Sequence, residues 1–166
     1  MTKIDDQQIV NFTIGEVNYG VPVEQVREVR DMQAVTPVPG APSYVEGVTN
    51  LRGQIITVMD LRRRLDLPKK EDGGEKIIVV ELGKVAVGVV VDAVTEVSTI
   101  PGADIEEHME VTTTLDEYVI GVGKQGENLV VILNLAKLIS DVKEDLPEQR
   151  KVAKKELLIA EQVPIA

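Results

Sequence analysis

The sequence predicts an all-β fold of two small five-stranded barrels, related by an internal duplication, with short helices and a C-terminal helix. Three observations lead to this prediction. Two stretches of the chain repeat each other in order, their short segments are rich in β-branched residues, and glycines separate those segments. The alternative fold, a parallel α/β sheet, needs long helices between its strands, and the sequence offers none.

The repeat has two aligned parts. Residues 10–29 align with residues 78–97 at an offset of 68, with identical glycines and valines in the same order. The stretch that begins at Tyr44 aligns with the stretch that begins at Tyr118 at an offset of 74, so the second copy has a longer middle loop. We therefore divide the chain into residues 1–75 (first unit and linker), 76–142 (second unit) and 143–166 (a helical tail).

The sequence of each copy predicts five strands followed by a helix. Residues 8–14 alternate between apolar and polar, as a half-buried strand does, and Gly15 and Gly83 begin two-residue hairpin loops. The predicted strands are 8–14, 17–23, 26–29, 47–51 and 54–59, then 76–82, 85–91, 94–97, 118–123 and 128–133. Asp60 and Asn134 are expected to cap helices at 61–65 and 135–141, and Pro147 is expected to begin a last helix that reaches residue 160.

The amino-acid composition excludes several classes of function. The 166 residues include one His and no Cys, which excludes disulfide scaffolds, thiolate metal sites and any Cys nucleophile. A net charge of -10 and an aromatic content of 2% argue against nucleic-acid binding. The polar N-terminus and short apolar runs predict no targeting signal and no direct membrane insertion, so a cytoplasmic protein is expected.

Three motifs could indicate a cofactor, metal or phosphate site, but for each of them an ordinary structural role is favoured. The segment 121–126 matches a dinucleotide fingerprint, but a strand follows where the cofactor would need a helix N-terminus. His108 lies in an acidic segment, where a solvated loop is favoured over a metal site. The arginines at 62–64 are expected to form a solvated helix face rather than a phosphate site. We therefore expect no enzyme, no cofactor and no metal.

One hairpin distinguishes the two copies. The first copy carries Arg52 and Gly53 at its tip, and the second has no arginine there. An arginine at a tip can extend five donors toward the carboxylates of a partner, although a plain exposed turn residue explains it equally well.

Residues 37–65 resemble the signature of the CheW family, the chemotaxis coupling proteins, and residues 89–94 and 118–124 fit the second half of that family. The resemblance covers about residues 8–141. Thr57 departs from it where the family usually has Pro, and Asn134 departs where Asp is common. The resemblance implies two five-stranded SH3-like barrels, with strands that can cross between them.

The resemblance also implies a function: a scaffold that links methyl-accepting chemoreceptors to the CheA histidine kinase and is recruited to membrane receptor arrays. It implies contact with the regulatory domain of the kinase, barrel end to barrel end, through Val10, Val23 and Val26. It places the cytoplasmic tip of the receptor in a groove between the barrels, at Glu28, Gly47, Arg52, Gly53 and Ile55. Glu28 and Arg52 are expected to pair. The alternatives are a scaffold of another receptor–kinase pathway, such as surface motility, and a detached kinase regulatory domain.

Overall fold

The fold of this chain follows from a computed structural model, which describes residues 5–67, 75–83, 85–107 and 116–144. Most of these residues are in strands, in one sheet of six strands and one of five, with few short helices. The all-β prediction is confirmed, and the two sheets agree with a pair of SH3-like barrels.

The first copy supplies five strands and one helix: β1 (Gln7–Ile14), β2 (Val17–Pro22), β3 (Val26–Asp31), β4 (Val45–Leu51), β5 (Gln54–Asp60) and α1 (Leu61–Arg64). The Asp60 side chain accepts a hydrogen bond from the backbone N–H of Arg62 at 2.9 Å, so it caps α1 as predicted. A short 3-10 turn at Val23–Gln25 connects β2 to β3.

The second copy repeats this order with one insertion: β6 (Lys76–Leu82), β7 (Val85–Val91), β8 (Ala93–Ile100), β9 (Ile105–Glu106), β10 (Val119–Gln125), β11 (Asn128–Leu133) and α2 (Leu135–Glu144). The sequence did not predict β9 or the 3-10 turns at Gly102–Asp104 and Asp116–Tyr118. Asn134 caps α2 by accepting from the N–H of Lys137 at 3.1 Å. The predicted helix from Pro147 lies outside the described residues.

Each sheet is built from both copies. The strand orders are β8-β1-β2-β11-β10-β9 and β3-β6-β7-β5-β4, so the first hairpin of each copy lies in the sheet of the other copy. Equivalent strands occupy equivalent places, including the parallel pairs β2 with β11 and β7 with β5. The units 1–75 and 76–142 are therefore sequence repeats, while each barrel combines strands of both.

The repeated glycines explain how the hairpins fit. A Cβ at Gly20 would lie 2.5 Å from the Cδ1 of Ile9, and a Cβ at Gly88 would lie 2.9 Å from the Cγ2 of Ile77. These two glycines, like the two isoleucines, are 68 positions apart in the repeat. The lack of a side chain on one strand makes room for an isoleucine from its hairpin partner in both barrels.

Three apolar clusters form the core. The largest lies where the two sheets meet and includes Phe12 and Tyr19, whose rings stack at 5.7 Å. Two smaller clusters contain the repeat-related isoleucines Ile9 and Ile77, one in each barrel. Consecutive residues of β6 alternate between a barrel cluster and the shared cluster, because side chains alternate across a strand. The shared cluster therefore joins the two barrels.

Candidate partner-binding groove

The hairpin between β4 and β5 presents Arg52 to solvent. Arg52 has φ 52° and Gly53 has φ 83°, and two positive φ values suit the tight type I′ turn that follows the twist of a hairpin. The Oδ1 of Asn50 accepts a hydrogen bond from the N–H of Gly53 at 2.8 Å and holds the tip. Arg52 remains 73% exposed.

Glu28 holds this arginine against β3, the strand at the opposite edge of the five-stranded sheet from β4. Its Oε2 lies 3.1 Å from Nη2 of Arg52, and its Oε1 lies 3.6 Å from Nη1 of Arg30. Beside this pair, Arg27 donates to Gln54 at 2.8 Å, so two polar contacts connect β3 to the hairpin. The expected pairing of Glu28 with Arg52 is present.

A groove of about 520 Å³ runs beside this ion pair, lined by residues 28–33, Arg52 and Lys76. All of its lining residues belong to the five-stranded sheet, to its β4–β5 turn or to the segment that follows β3. This groove lies on one barrel. At its wall, Lys76 donates to Asp31, and this bond with the nearby ammonium charge lowers the pKa of the Asp31 carboxyl.

Ile55 and Gly47 differ in accessibility. Ile55 lies on β5 with 39% of its surface exposed, next to the hairpin tip. Gly47 is buried, with φ 145°, and a Cβ there would lie 2.0 Å from the backbone oxygen of Thr36. The N–H and C=O of Thr36 both bond to Val48, at 2.8 and 2.9 Å. Gly47 therefore allows the segment at Thr36 to pair antiparallel with β4 at close range.

The three valines assigned to the kinase all belong to the shared cluster or pack against it. Val10 is 4% exposed and is part of that cluster, while Val23 and Val26 are half-buried and pack against it. Val23 and Val26 therefore present the accessible apolar surface of this set, and Val10 is buried.

Arg62 lies in a buried ion network that the sequence analysis missed. It is 4% exposed and contacts Glu75 at 2.7 Å, Asp92 at 3.0 Å and Asp60 at 3.2 Å. Burial alone would lower the pKa of Arg62, but hydrogen bonds to Asp60 and Glu75 and the charge of Asp92 raise it. The expectation of a solvated face at 62–64 is wrong for this residue, because three carboxylates hold it inside.

The neighbouring arginines have different surroundings. Arg63 is 56% exposed and donates to the backbone oxygen of Ser43 at 3.1 Å. The guanidinium of Arg64 lies between the rings of Tyr44 and Tyr118, at 5.6 and 5.5 Å from their centroids, and donates to the Tyr118 hydroxyl. The two tyrosines are repeat-related, so Arg64 ties equivalent positions of the two copies together.

The remaining sequence motifs form no cofactor or metal site within the residues that the structure describes. The segment 121–126 runs along β10 into a hairpin with β11, as the plainer interpretation predicted. His108 lies outside the described residues. Within the part of the chain that the structure describes, no three His, Cys, Asp or Glu side chains are grouped to hold a metal ion. No helix in the same ranges is long and apolar enough to cross a membrane.

The double barrel, with a charged groove and an exposed arginine, defines a strand-rich binding domain. A family model described as the CheW-like domain matches residues 8–143. The chemotaxis protein CheW of Klebsiella aerogenes is 35% identical over 136 residues, which cover 81% of this chain and 82% of that protein. The chain therefore belongs to the CheW family of chemotaxis adaptor and scaffolding proteins.

Two further comparisons extend this result. Protein FrzA of Myxococcus xanthus is 33% identical over 152 residues, which cover 90% of this chain and 92% of FrzA. The crystal structure of the scaffolding protein TtCheW from Thermoanaerobacter tengcongensis is similar with a TM-score of 0.73 and 36% identity. It is matched over 80% of this chain and 91% of that one. The resemblance found in the sequence is confirmed.

Proposed function

We propose that this protein is an adaptor that joins methyl-accepting chemoreceptors to a CheA-type histidine kinase and acts by binding alone. Membership of the CheW family supports the proposal, and one structural observation carries it: Arg52 is held 3.1 Å from Glu28 and is still 73% exposed. A cation that is oriented and accessible can meet a carboxylate of a partner with little ordering cost.

The proposed receptor surface consists of Glu28, Gly47, Arg52, Gly53 and Ile55. Arg52 would supply the charge-assisted hydrogen bonds, and Ile55 the apolar contact beside them. Glu28 would orient the arginine, while Gly47 and Gly53 would shape the backbone around it. The helical-hairpin tip of a receptor would then lie against this surface, in a groove between the two barrels, as a helix binds in a groove.

The proposed kinase surface consists of Val10, Val23 and Val26. Apolar side chains that are half-buried at a barrel end can be covered fully by a matching barrel of the kinase regulatory domain. The receptor and kinase surfaces use different side chains, and we propose that both partners are bound together. The adaptor would be recruited from the cytoplasm to receptor arrays in this way.

Signal transmission needs no chemistry in this proposal. An adaptor that binds one receptor state more tightly than another shifts the receptor equilibrium, and the bound kinase shares that shift. The effect is limited by the difference in affinity between the two states.

The proposal is tested by sedimenting the full chain with receptor-containing membranes and, separately, by measuring its affinity for the kinase. We expect Arg52→Asp to weaken receptor binding by at least about tenfold and to leave kinase binding unchanged. Arg63→Asp is the matched control, since it makes the same charge change at another exposed arginine. Loss of both partners in a folded Arg52→Asp protein, or no receptor binding by the unaltered protein, would overturn the proposal.

A scaffold of a different receptor–kinase pathway is the second candidate. The similarity to FrzA over 90% of the chain favours keeping it. Purification of the protein from its own cells separates the two: the partners recovered would be chemotaxis receptors and their kinase in the first case, and those of another pathway in the second.

A further inference from the structure

The carboxylate of Glu28 lies between two arginines. Its Oε2 is 3.1 Å from Arg52 and its Oε1 is 3.6 Å from Arg30. Glu28 and Arg30 are two positions apart on β3, so their side chains point to the same side of the strand. The Glu28 side chain is 18% exposed, Arg30 is 36% exposed and Arg52 is 73% exposed.

Because Glu28 is mostly buried, receptor binding through Arg52 has an electrostatic cost. If Arg52 turns toward a carboxylate of the receptor, Glu28 loses its shorter ion pair while it remains mostly buried. A buried charge without a partner is unfavourable, and the receptor would cover this carboxylate further. Part of the binding energy would then be spent on Glu28, unless a second cation replaces Arg52.

We propose that Arg30 is this second cation: a positioning residue that moves onto Glu28 when Arg52 engages the receptor. The inference rests on the proposed function and goes beyond it, because it makes the site an exchange of partners around one carboxylate. The 3.6 Å distance is within ion-pair range, so a small rotation of the Arg30 side chain completes the exchange.

The other cations near the groove are already engaged. Lys76 donates to Asp31 on the next strand, and Arg27 donates to Gln54 at 2.8 Å. Among the described side chains, Arg30 and Arg52 are the two that form ion pairs with Glu28. Arg30 is therefore the cation placed to replace Arg52.

The second copy has a glutamate at the position of Glu28 but lacks both arginines. Glu96 is the repeat-related glutamate, but Ser98 stands in the place of Arg30 and Gly126 in the place of Arg52. Glu96 is exposed to solvent, where a carboxylate needs no cation. Both arginines are thus present in the copy where the glutamate is sheltered and missing in the copy where it is not.

The test is a double-mutant cycle between Arg30 and Glu28 in the full chain, with affinity for receptor-containing membranes as the readout. We expect Arg30→Gln to weaken receptor binding by about three- to tenfold and to leave kinase binding unchanged. Arg30→Lys keeps the charge and should retain affinity within about twofold of the unaltered protein. In a Glu28→Gln background, Arg30→Gln should have no effect, because no carboxylate remains to be neutralised.

A second measurement needs no receptor. In an Arg52→Ala protein, NMR of the arginine side chains should show the Arg30 guanidinium becoming more ordered and more protected from exchange. An unchanged Arg30 signal there, or an equal loss of receptor affinity from Arg30→Gln in both Glu28 backgrounds, would overturn the inference. Absence of any receptor binding by the unaltered protein would instead overturn the proposed function, and the NMR measurement would still decide the role of Arg30.

Discussion

Arg62 and Asp92 form a buried ion pair of 3.0 Å although they belong to different copies of the repeat. The other oxygen of Asp92 accepts a hydrogen bond from the N–H of Gly15 at 2.6 Å. One carboxylate therefore connects helix α1, the end of β7 and the turn between β1 and β2. Since β1 and β7 lie in different sheets, this contact fastens the two barrels to each other.

The first prediction concerns this pair. Arg62→Met should lower the free energy of unfolding by about 3–5 kcal/mol, because Asp92 would remain buried without a cation and Asp60 would keep only the more distant Arg63, at 3.7 Å. Arg63→Met, at the exposed neighbour, should change it by less than about 0.5 kcal/mol. Urea unfolding of both proteins measures the difference, and equal stabilities would contradict the assigned role of Arg62.

The second prediction distinguishes two reasons for a glycine: steric contact of an added side chain and a positive φ angle. Gly47 and Gly40 both have positive φ, but only Gly47 has backbone atoms within 4 Å of an added Cβ. Gly40→Ala should cost about 1 kcal/mol of stability, and Gly47→Ala should cost several times more. Thermal unfolding compares the two, and similar losses would show that the Thr36 segment does not restrict position 47.

The third prediction uses a compensating pair. Gly20→Ala should lower stability by about 1–3 kcal/mol, since the new methyl group would meet the Cδ1 of Ile9. Ile9→Val removes that atom, so the double variant should be less destabilised than the sum of the two single changes. Denaturant unfolding of all four proteins completes the cycle; strict additivity would exclude the contact.

The fourth prediction tests the proposed kinase surface. Val26 and its repeat-related residue Val94 are both half-buried and pack against the shared cluster. Serine at either position should therefore cost a similar amount of stability. Only Val26→Ser should weaken binding to the kinase regulatory domain, by about tenfold. Calorimetric titration distinguishes them, and equal affinities of the two variants would move the kinase surface elsewhere.

The fifth prediction concerns pH. The hydrogen bond and charge of Lys76 lower the pKa of Asp31, so the ionised carboxylate is favoured in the folded protein. The resulting stabilisation is complete above the ordinary Asp pKa and is lost as the pH falls through the lowered value. NMR titration of the Asp31 carboxyl should show the lowered pKa, and Lys76→Met should return it toward the ordinary range.

Local features of the fold could be predicted from the sequence. Gly15 and Gly83 have φ values of 62° and 58°, as expected for glycines that begin hairpin turns. Asp60 and Asn134 cap the helices that were expected to follow them. These features depend on residues that are close in the chain, so short motifs determine them.

Features that depend on distant residues were missed. Because consecutive residues point in different directions around a helix, one of three adjacent arginines can face inward. The sequence does not show that Arg62 is this residue, since its partners Glu75 and Asp92 lie 13 and 30 positions away. The exchange of hairpins is equally hidden from the residues alone, because both copies have nearly the same strands and either pairing satisfies the local pattern.

That exchange has a consequence for how the protein is made. During synthesis, the hairpin β1–β2 leaves the ribosome long before β8 and β11, the strands on either side of it in its sheet. The apolar face of this hairpin therefore stays uncovered until the later strands are made. Folding then depends on contacts between distant parts of the chain, which form slowly. Neither copy produced alone would contain all the strands of either barrel, so each barrel is completed only when both copies are present.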